Sequence, residues 1–358
     1  MKKTVLALAA IAASSAAFAQ SSVTLYGVVD ASVESVKGNT AGQSTTFNRV
    51  SSGNLATSRL GFKGVEDLGG GLKANFQLEA TVAVDTGAAA TGRFFDRAAW
   101  VGLSSKEAGE LRIGRQDSLI GAQTAGTIGT QAYDEAKIAL TLGGDSLRRL
   151  DNAITYIAPT FVPGLTLAAQ FSTGYSSSVT TEDTGNDGRT YGFSANYANG
   201  PLAAGLSYIK ANTDVAGDVE NTGVFVYGAY DFGVAKLTAY YNTDDRDGNF
   251  DDRDMYGFKV AVPVAANVTL TGGYAQVRGA KGDATSSTGN FNAKSTQDDK
   301  ANILTFRAQY DLSKRTALYA LFTQVYNDNN TNLAVSSAVT TSNDKSSRGL
   351  AVGVRHSF

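Results

Sequence analysis

The sequence has 358 residues, with 31 Lys and Arg against 33 Asp and Glu, one histidine and no cysteine. The near-neutral charge argues against a nucleic-acid-binding protein, which would normally be basic, and the lack of cysteine with a single histidine excludes a Cys/His zinc site. Glycine and aromatic residues are abundant and proline is scarce (39 Gly, 16 Tyr, 17 Phe, 4 Pro), which favours twisted β-strands over helices. We expect neither a metal nor another cofactor.

The first segment has the organisation of a secretory signal peptide. Two lysines follow the initiator methionine, an apolar run extends from Val5 to Ala13, and a small-residue triplet, Ala17 to Ala19, provides a cleavage site. A membrane anchor is the alternative, but the run is far shorter than the roughly 20 residues that a spanning helix needs. We predict a cleaved signal peptide over residues 1–19 and one β-barrel domain over residues 20–358.

Segments with a strict two-residue period follow the signal peptide. One of them alternates apolar and polar side chains, the apolar ones being Leu72, Ala74, Phe76, Leu78, Ala80 and Val82, and the polar ones Lys73, Asn75, Gln77, Glu79 and Thr81. The same pattern recurs near residues 165–171, 256–262 and 304–310. One face of such a strand suits lipid and the other suits water. A soluble β-sandwich would alternate in the same way, so the pattern alone leaves both architectures open.

The connections between these segments alternate between short turns and long loops. The short turns fall at Asp67 to Gly71, Lys106 to Gly109, Pro159 to Gly164, Asn199 to Pro201, Asp231 to Gly233, Pro263 to Asn267 and Asp311 to Lys314. The long loops fall at Lys37 to Thr57, Asp85 to Phe95, Gln116 to Asp151, Gly174 to Gly188, Ala211 to Asn221, Thr243 to Asp254, Gly279 to Lys300 and Asn327 to Ser346. These connections predict an all-β fold, an antiparallel up-and-down transmembrane barrel of 16 strands.

The C-terminal strand, Gly349 to Phe358, places Leu350, Val352, Val354, His356 and Phe358 on its outward face. A terminal aromatic residue on such a strand is typical of the signal recognised by the outer-membrane assembly machinery, and we assign that role to Phe358; an ordinary edge strand is the alternative. The single histidine, His356, faces lipid in this interpretation. A Ser-His or Asp-His hydrolase needs its histidine where water and substrate meet, so we expect no enzymatic activity.

Five segments together resemble one family, the trimeric general diffusion porins of betaproteobacteria. They are Ser22 to Asp30, Ser58 to Gly69, Asp96 to Leu103, Leu111 to Gln116 and Gly353 to Phe358. The resemblance implies a homotrimer in the bacterial outer membrane, in which each 16-stranded barrel carries its own channel for small hydrophilic solutes and ions. It also implies that the long third loop, here Gln116 to Asp151, folds into the lumen and narrows it.

Charged side chains at a constriction set the selectivity of a pore. The lumen-facing parity carries the cations Arg59, Lys63, Lys73, Arg112, Lys236, Lys259, Arg307 and Arg355, and the anions Asp30, Glu34 and Glu79. Arg97 and Arg115 lie on strands of ambiguous parity, and the resemblance makes both pore-lining. From the third loop, the carboxylates of Asp117, Asp134, Glu135 and Asp145 are predicted to oppose this positive wall, and Lys137, Arg148 and Arg149 also lie in that loop. We expect a passive pore with a modest preference for anions.

Three alternatives remain at this point. The first is a solute-specific channel of the same architecture, and the second is a plugged barrel with a structural or adhesive role. The third is a secreted soluble β-protein, which the alternation of turns and loops disfavours. The acidic loop Asp244 to Asp254 lacks the ligand spacing of an EF-hand; we interpret it as a solvated loop, although divalent bridging to lipopolysaccharide or outer-membrane lipid remains open.

Overall fold

A computed structural model of the chain describes residues 22–90, 92–129, 133, 148–173, 189–213, 219–246, 253–278, 300–328, 331–336 and 338–358. The predicted signal peptide, residues 1–19, lies outside the described residues. Among the described residues, no helix is long and apolar enough to cross a membrane.

The described residues form 17 strand segments and one helix. The strands are β1 (Ser22–Thr40), β2 (Gln43–Ser52), β3 (Arg59–Gly69), β4 (Leu72–Thr81), β5 (Ala98–Ser105), β6 (Gly109–Asp117), β7 (Arg149–Ile157), β8 (Leu165–Ser172), β9 (Thr190–Asn199), β10 (Leu202–Thr213), β11 (Val219–Asp231), β12 (Lys236–Arg246), β13 (Arg253–Ala265), β14 (Val268–Arg278), β15 (Lys300–Asp311), β16 (Thr316–Asn327) and β17 (Ser347–Ser357). The helix, α1, spans Leu119–Thr127 between β6 and β7.

Antiparallel pairing closes the described strands into a barrel. From β3 onward each strand pairs with the next, and β17 returns to β1 with Val28 opposite Ser357 and Gly38 opposite Ser347. On its other edge β1 pairs with β2 over residues 31–40 and with β3 over residues 22–28. Since β2 and β3 lie end to end along β1, they count as one barrel strand. The described strands therefore make the 16 that the sequence predicts, and a closed barrel leaves no unpaired edge.

All seven predicted short turns separate consecutive strands, but the first predicted long loop, Lys37 to Thr57, is wrong. In the structure β1 continues to Thr40, reverses at a tight turn in which Gly42 has a φ of 91°, and returns as β2. Glycine tolerates this left-handed conformation without steric cost. Backbone pairing with β1, rather than an apolar face, holds β2 in place, and sequence alternation does not report such pairing.

The two faces of the barrel differ as the alternation predicts. On β17, Leu350, Val352 and Val354 are 52%, 59% and 43% exposed on the outside, whereas the intervening Ala351 is 1% exposed. Large apolar side chains are likewise exposed along the other strands, from Val23 and Leu25 on β1 to Leu318 on β16. Such a band of outward apolar residues matches the hydrocarbon layer of a bilayer.

The helix α1 lies inside the barrel and contacts β8, β9, β10 and β11. The hydroxyl of Ser118 caps it by accepting a hydrogen bond from the Gly121 amide at 3.0 Å. Ile120 in its first turn and Ile128, which caps its C-terminus, belong to one apolar cluster. The cluster also contains inner-face residues of β10 to β16 and Leu333, Val335 and Val339 of the last loop. The apolar core of this protein therefore sits within the barrel, next to the loops.

Candidate pore constriction

The beginning of the third loop is attached to the inner wall through Gln170 on β8. The Gln170 amide nitrogen donates to the Asp117 carbonyl at 3.1 Å and to the Thr155 hydroxyl at 2.8 Å. Its amide oxygen accepts a hydrogen bond from the Leu119 backbone at 3.2 Å. Because Gln170 is only 5% exposed, these bonds are shielded from water and fix where α1 starts.

The rest of α1 is held by two further side chains of the wall. Gln123 donates from its Nε2 to the Oδ1 of Asn196 on β9 at 2.7 Å. Lys259 on β13 donates from its Nζ to the carbonyl of Ile128 at the helix C-terminus, at 3.3 Å. A cation at this end also complements the helix dipole. The helix is therefore bound to the wall along its whole length.

On the other side of the barrel, Tyr133 of the third loop contacts β1. Its hydroxyl donates to the Oε2 of Glu34 at 3.1 Å, and its ring packs with Leu55, Tyr319 and Leu321. Burial, and secondarily the neighbouring carboxylate of Glu34, raises the pKa of Tyr133, so the hydroxyl stays protonated. Since β10 lies halfway round the barrel from β1, described parts of this loop contact the inner wall on opposite sides.

Glu79 on β4 is shared by two arginines of the inner wall. Arg97 places its Nε 2.5 Å from Oε1, and Arg59 on β3 places its Nε 3.6 Å from Oε2. Tyr26 also donates its hydroxyl to Glu79 at 2.9 Å and accepts one hydrogen bond from Gln77 at 2.7 Å. These contacts bring together three residues that the sequence analysis selected for the pore, Arg59, Glu79 and Arg97.

Asp151 on β7 is shared in the same way. Arg115 contacts its Oδ1 at 2.5 Å, and Arg93 contacts its Oδ2 at 2.6 Å. A register shift places two residues of β7, Asp151 and Asn152, opposite the single Arg115 of β6, and Asn152 has a φ of 50°. The bulge therefore lies on β7, and Arg115 faces it at the position where the parity is ambiguous in the sequence. No alternation pattern covers Arg93, and sequence reasoning missed its role.

The third shared carboxylate is Asp117, at the end of β6. Its oxygens lie 3.0 Å from the Nε of Arg149 and 3.6 Å from a terminal nitrogen of Arg148. The prediction placed Asp117 opposite the positive wall, but in the structure it pairs with the other end of its own loop. Asp134, Glu135, Lys137 and Asp145, the remaining charged loop residues of that prediction, lie outside the described residues.

The other residues predicted to line the pore, Arg112, Lys73 and Arg307, do not belong to these three sets of ion pairs. Arg112 binds Glu110 through two hydrogen bonds of 2.8 and 2.9 Å and lies over the ring of Trp100 at 4.5 Å. Lys73 is exposed near the turn end of β4. Arg307 on β15 lines a lumenal cavity of about 660 Å³ under α1, together with Arg112, Lys236 and Lys259.

The three shared carboxylates and their partners form what we call the arginine group: Arg59, Arg93, Arg97, Arg115, Arg148, Arg149, Glu79, Asp117 and Asp151. Asp96 adds a fourth carboxylate: it interacts electrostatically with Arg149, and its backbone carbonyl accepts a hydrogen bond from Arg115 at 2.7 Å. Six guanidinium groups are therefore grouped with four carboxylates. The formal excess is two positive charges, six minus four. Guanidinium groups do not deprotonate in proteins, so this excess persists at any working pH.

Phe358 completes the seam between the last and first strands. Its amide donates to the Gly27 carbonyl at 3.1 Å, and its carbonyl accepts from the Gly27 amide at 3.2 Å. The ring is 42% exposed on the outer face, as the parity predicts. A Cβ on Gly27 would lie 2.4 Å from this ring, so the glycine leaves the space that Phe358 occupies.

Comparisons with known proteins agree with this architecture. The family described as Gram-negative porin matches residues 5–330. The chain is 36% identical over 371 residues to outer membrane porin protein 32 of Delftia acidovorans and 33% identical over 412 residues to an outer membrane porin of Bordetella pertussis, in both cases over 100% of each chain. An anion-selective porin from Comamonas acidovorans matches its fold with a TM-score of 0.76 at 30% identity, covering 95% of this chain and 100% of that chain. The chain therefore belongs to the Gram-negative porin family and forms a passive diffusion channel in the outer membrane.

Proposed function

We propose that this porin passes small hydrophilic solutes and ions with a modest preference for anions. The observation that carries the proposal is the arginine group, where six guanidinium groups meet four carboxylates on the strands and loops from β3 to β7. The relative from Comamonas acidovorans, described as an anion-selective porin, supports the same direction.

The mechanism is electrostatic and involves no chemical step. Each shared carboxylate neutralises one of its two arginines and holds both side chains against the wall. With the charge of Asp96 included, the arginine group keeps a formal excess of two positive charges. Low-dielectric walls focus the resulting field on the water-filled lumen. Salt screens it over about 8 Å at physiological ionic strength, and we therefore propose a modest preference rather than strict exclusion of cations.

The third loop supplies the narrow part of the channel in this proposal. Its described parts bind Gln170, Asn196 and Lys259 on one side of the barrel and Glu34 on the other. We further propose Asp134 and Glu135 of the same loop as the carboxylates that give the constriction a transverse field. Lys73, Arg112 and Arg307 are proposed to act outside it, in the wider part of the lumen.

The proposal includes the surroundings of the barrel. We propose a homotrimer embedded in outer-membrane lipid and lipopolysaccharide, with no catalytic activity, and Phe358 as the residue recognised by the assembly machinery. The outward position of the Phe358 ring beside the closing seam supports this last role.

One observation favours a second candidate, a plugged barrel. Leu333, Val335 and Val339 of the last loop are buried within the barrel against α1. If the loops fill the mouth completely, the protein would serve a structural or adhesive role instead of passing solutes.

Liposome swelling tests the pore against the plug. Proteoliposomes diluted into an isotonic neutral monosaccharide should swell, and a small monocarboxylate should enter faster than an amine of the same size. Heat-denatured protein in the same lipid is the control. Absence of swelling with every solute would reject the pore, and faster entry of the amine would reject the anion preference.

A further inference from the structure

We propose that Glu34 is a positioning residue that fixes the third loop across the pore and couples it to the last loop. This inference rests on the proposed constriction by the third loop. It concerns a second cluster, on the β1–β17 side of the barrel, that shares no residue with the arginine group. This cluster consists of Glu34, Arg49, Asn54, Tyr133 and Ser336.

Glu34 is a buried carboxylate with three donors from three different parts of the chain. It is 2% exposed and accepts hydrogen bonds from the Nε of Arg49 at 2.5 Å, the Nδ2 of Asn54 at 2.8 Å and the hydroxyl of Tyr133 at 3.1 Å. A charge removed from water is expensive unless such partners satisfy it. The carboxylate therefore requires that all three groups stay in place.

Each donor brings a different segment to the inner wall. Arg49 belongs to β2, Asn54 lies in the break between β2 and β3, and Tyr133 belongs to the third loop. Arg49 also donates from a terminal nitrogen to the hydroxyl of Ser336 in the last loop, at 3.2 Å. One carboxylate thus connects the described parts of the third loop and of the last loop.

The wall is shaped to receive the Tyr133 ring. A Cβ at Gly349 on β17 would lie 2.9 Å from the Cε1 atom and 2.9 Å from the hydroxyl oxygen of Tyr133, so the backbone there leaves room only because the residue is glycine. The ring is surrounded by Leu55, Tyr319 and Ala351, and Tyr133 is 3% exposed. The ring site and the hydrogen bond to Glu34 are separate features, and both position the same loop residue.

The cluster acts on the pore because of where it holds the loop. Ile128 at the end of α1 is bound by Lys259 on β13, and Tyr133 is bound on β1. Without the hydrogen bond to Glu34, the distance of Tyr133 from β1 would not be fixed. The second attachment sets that distance, and the size of the open channel depends on it.

Single-channel recordings of two matched variants test the inference. Tyr133→Phe keeps the ring and the charge of Glu34 but removes one hydrogen bond to the loop. Tyr319→Phe is the control. It removes a hydroxyl from the same pocket, but this hydroxyl binds Asp30 on the wall and not the third loop. Glu34→Gln removes the charge itself, and Tyr133→Phe keeps the test valid if the Glu34→Gln protein fails to fold.

We expect Tyr133→Phe to show roughly fivefold more frequent conductance fluctuations, the change in population that follows from one lost hydrogen bond. Glu34→Gln should show at least as many. Tyr319→Phe should record like the wild type. The inference would be overturned if Tyr133→Phe showed conductance fluctuations at the wild-type frequency. It would also be overturned if Tyr133→Phe and Tyr319→Phe showed the same increase in frequency. If instead the wild-type protein conducts no ions, the proposed function fails, and the two failures are thereby distinguished.

Discussion

Replacing Glu79 with glutamine is a direct perturbation of the arginine group. Glu79 carries the charge shared by Arg97, 2.5 Å away, and Arg59, 3.6 Å away. Its loss leaves two guanidinium groups without a carboxylate, so the formal charge of this trio rises by one unit. Glutamine keeps the size of the side chain and an oxygen that can accept from Arg97, so the barrel should still assemble.

The expected effect on permeation follows from the distance over which the charge acts. A unit charge about 8 Å from a permeating ion in water changes the energy of the ion by about 0.5 kcal/mol. Screening over one Debye length reduces this to about 0.2 kcal/mol. Because the change favours an anion and disfavours a cation by the same amount, the anion-to-cation permeability ratio should rise roughly twofold.

The assay is the zero-current potential of the refolded protein in a planar bilayer under a KCl gradient. Glu66→Gln is the matched control, because it makes the same substitution at an exposed position near the turn end of β3. We expect a shift toward chloride for Glu79→Gln and none for Glu66→Gln. An unchanged potential for Glu79→Gln, or equal shifts for both, would refute the assignment of the arginine group to the selectivity region.

Two further substitutions and one deletion test other parts of the structure. Arg97→Gln should shift the zero-current potential in the opposite direction, because the anion-to-cation permeability ratio should fall roughly twofold. An unchanged potential would show that Arg97 does not act on permeating ions. Gln170→Leu removes the partners of the Asp117 carbonyl and the Leu119 amide. We therefore expect more frequent conductance fluctuations of the open channel at an unchanged mean permeability ratio. Fluctuations at the wild-type frequency would contradict the role of Gln170 in holding the third loop. Deletion of Phe358 removes both backbone hydrogen bonds to Gly27 and should reduce the folded fraction on unheated SDS gels, and an unreduced fraction would argue against a role in assembly.

The barrel was predictable because lipid and water impose opposite demands on the two faces of each strand. The alternation from Leu72 to Thr81 and the seven short turns specify strands and register without knowledge of the packing. The β1–β2 hairpin was mispredicted because β2 has mostly exposed residues and no alternating apolar face. Its position depends on backbone pairing and on the turn at Gly42, which hydropathy does not report.

The site was predicted in part, for a related reason. Arg59, Glu79 and Arg112 follow the parity of their strands, and the structure places them on the inner wall with their partners. Arg93 and Asp151 could not be assigned, because a loop residue and a bulge have no period from which to infer direction. The contact between Tyr133 and Glu34 joins residues 99 positions apart, and only the folded chain brings them together.

We propose that the inner wall of this porin carries an excess of positive charge and that this excess sets the direction of its selectivity. The most direct test is the zero-current potential of the wild-type protein in a planar bilayer under a KCl gradient. We expect a potential whose sign shows faster permeation of chloride than of potassium and whose magnitude falls as total salt rises. A potential showing faster permeation of potassium at low salt would contradict it.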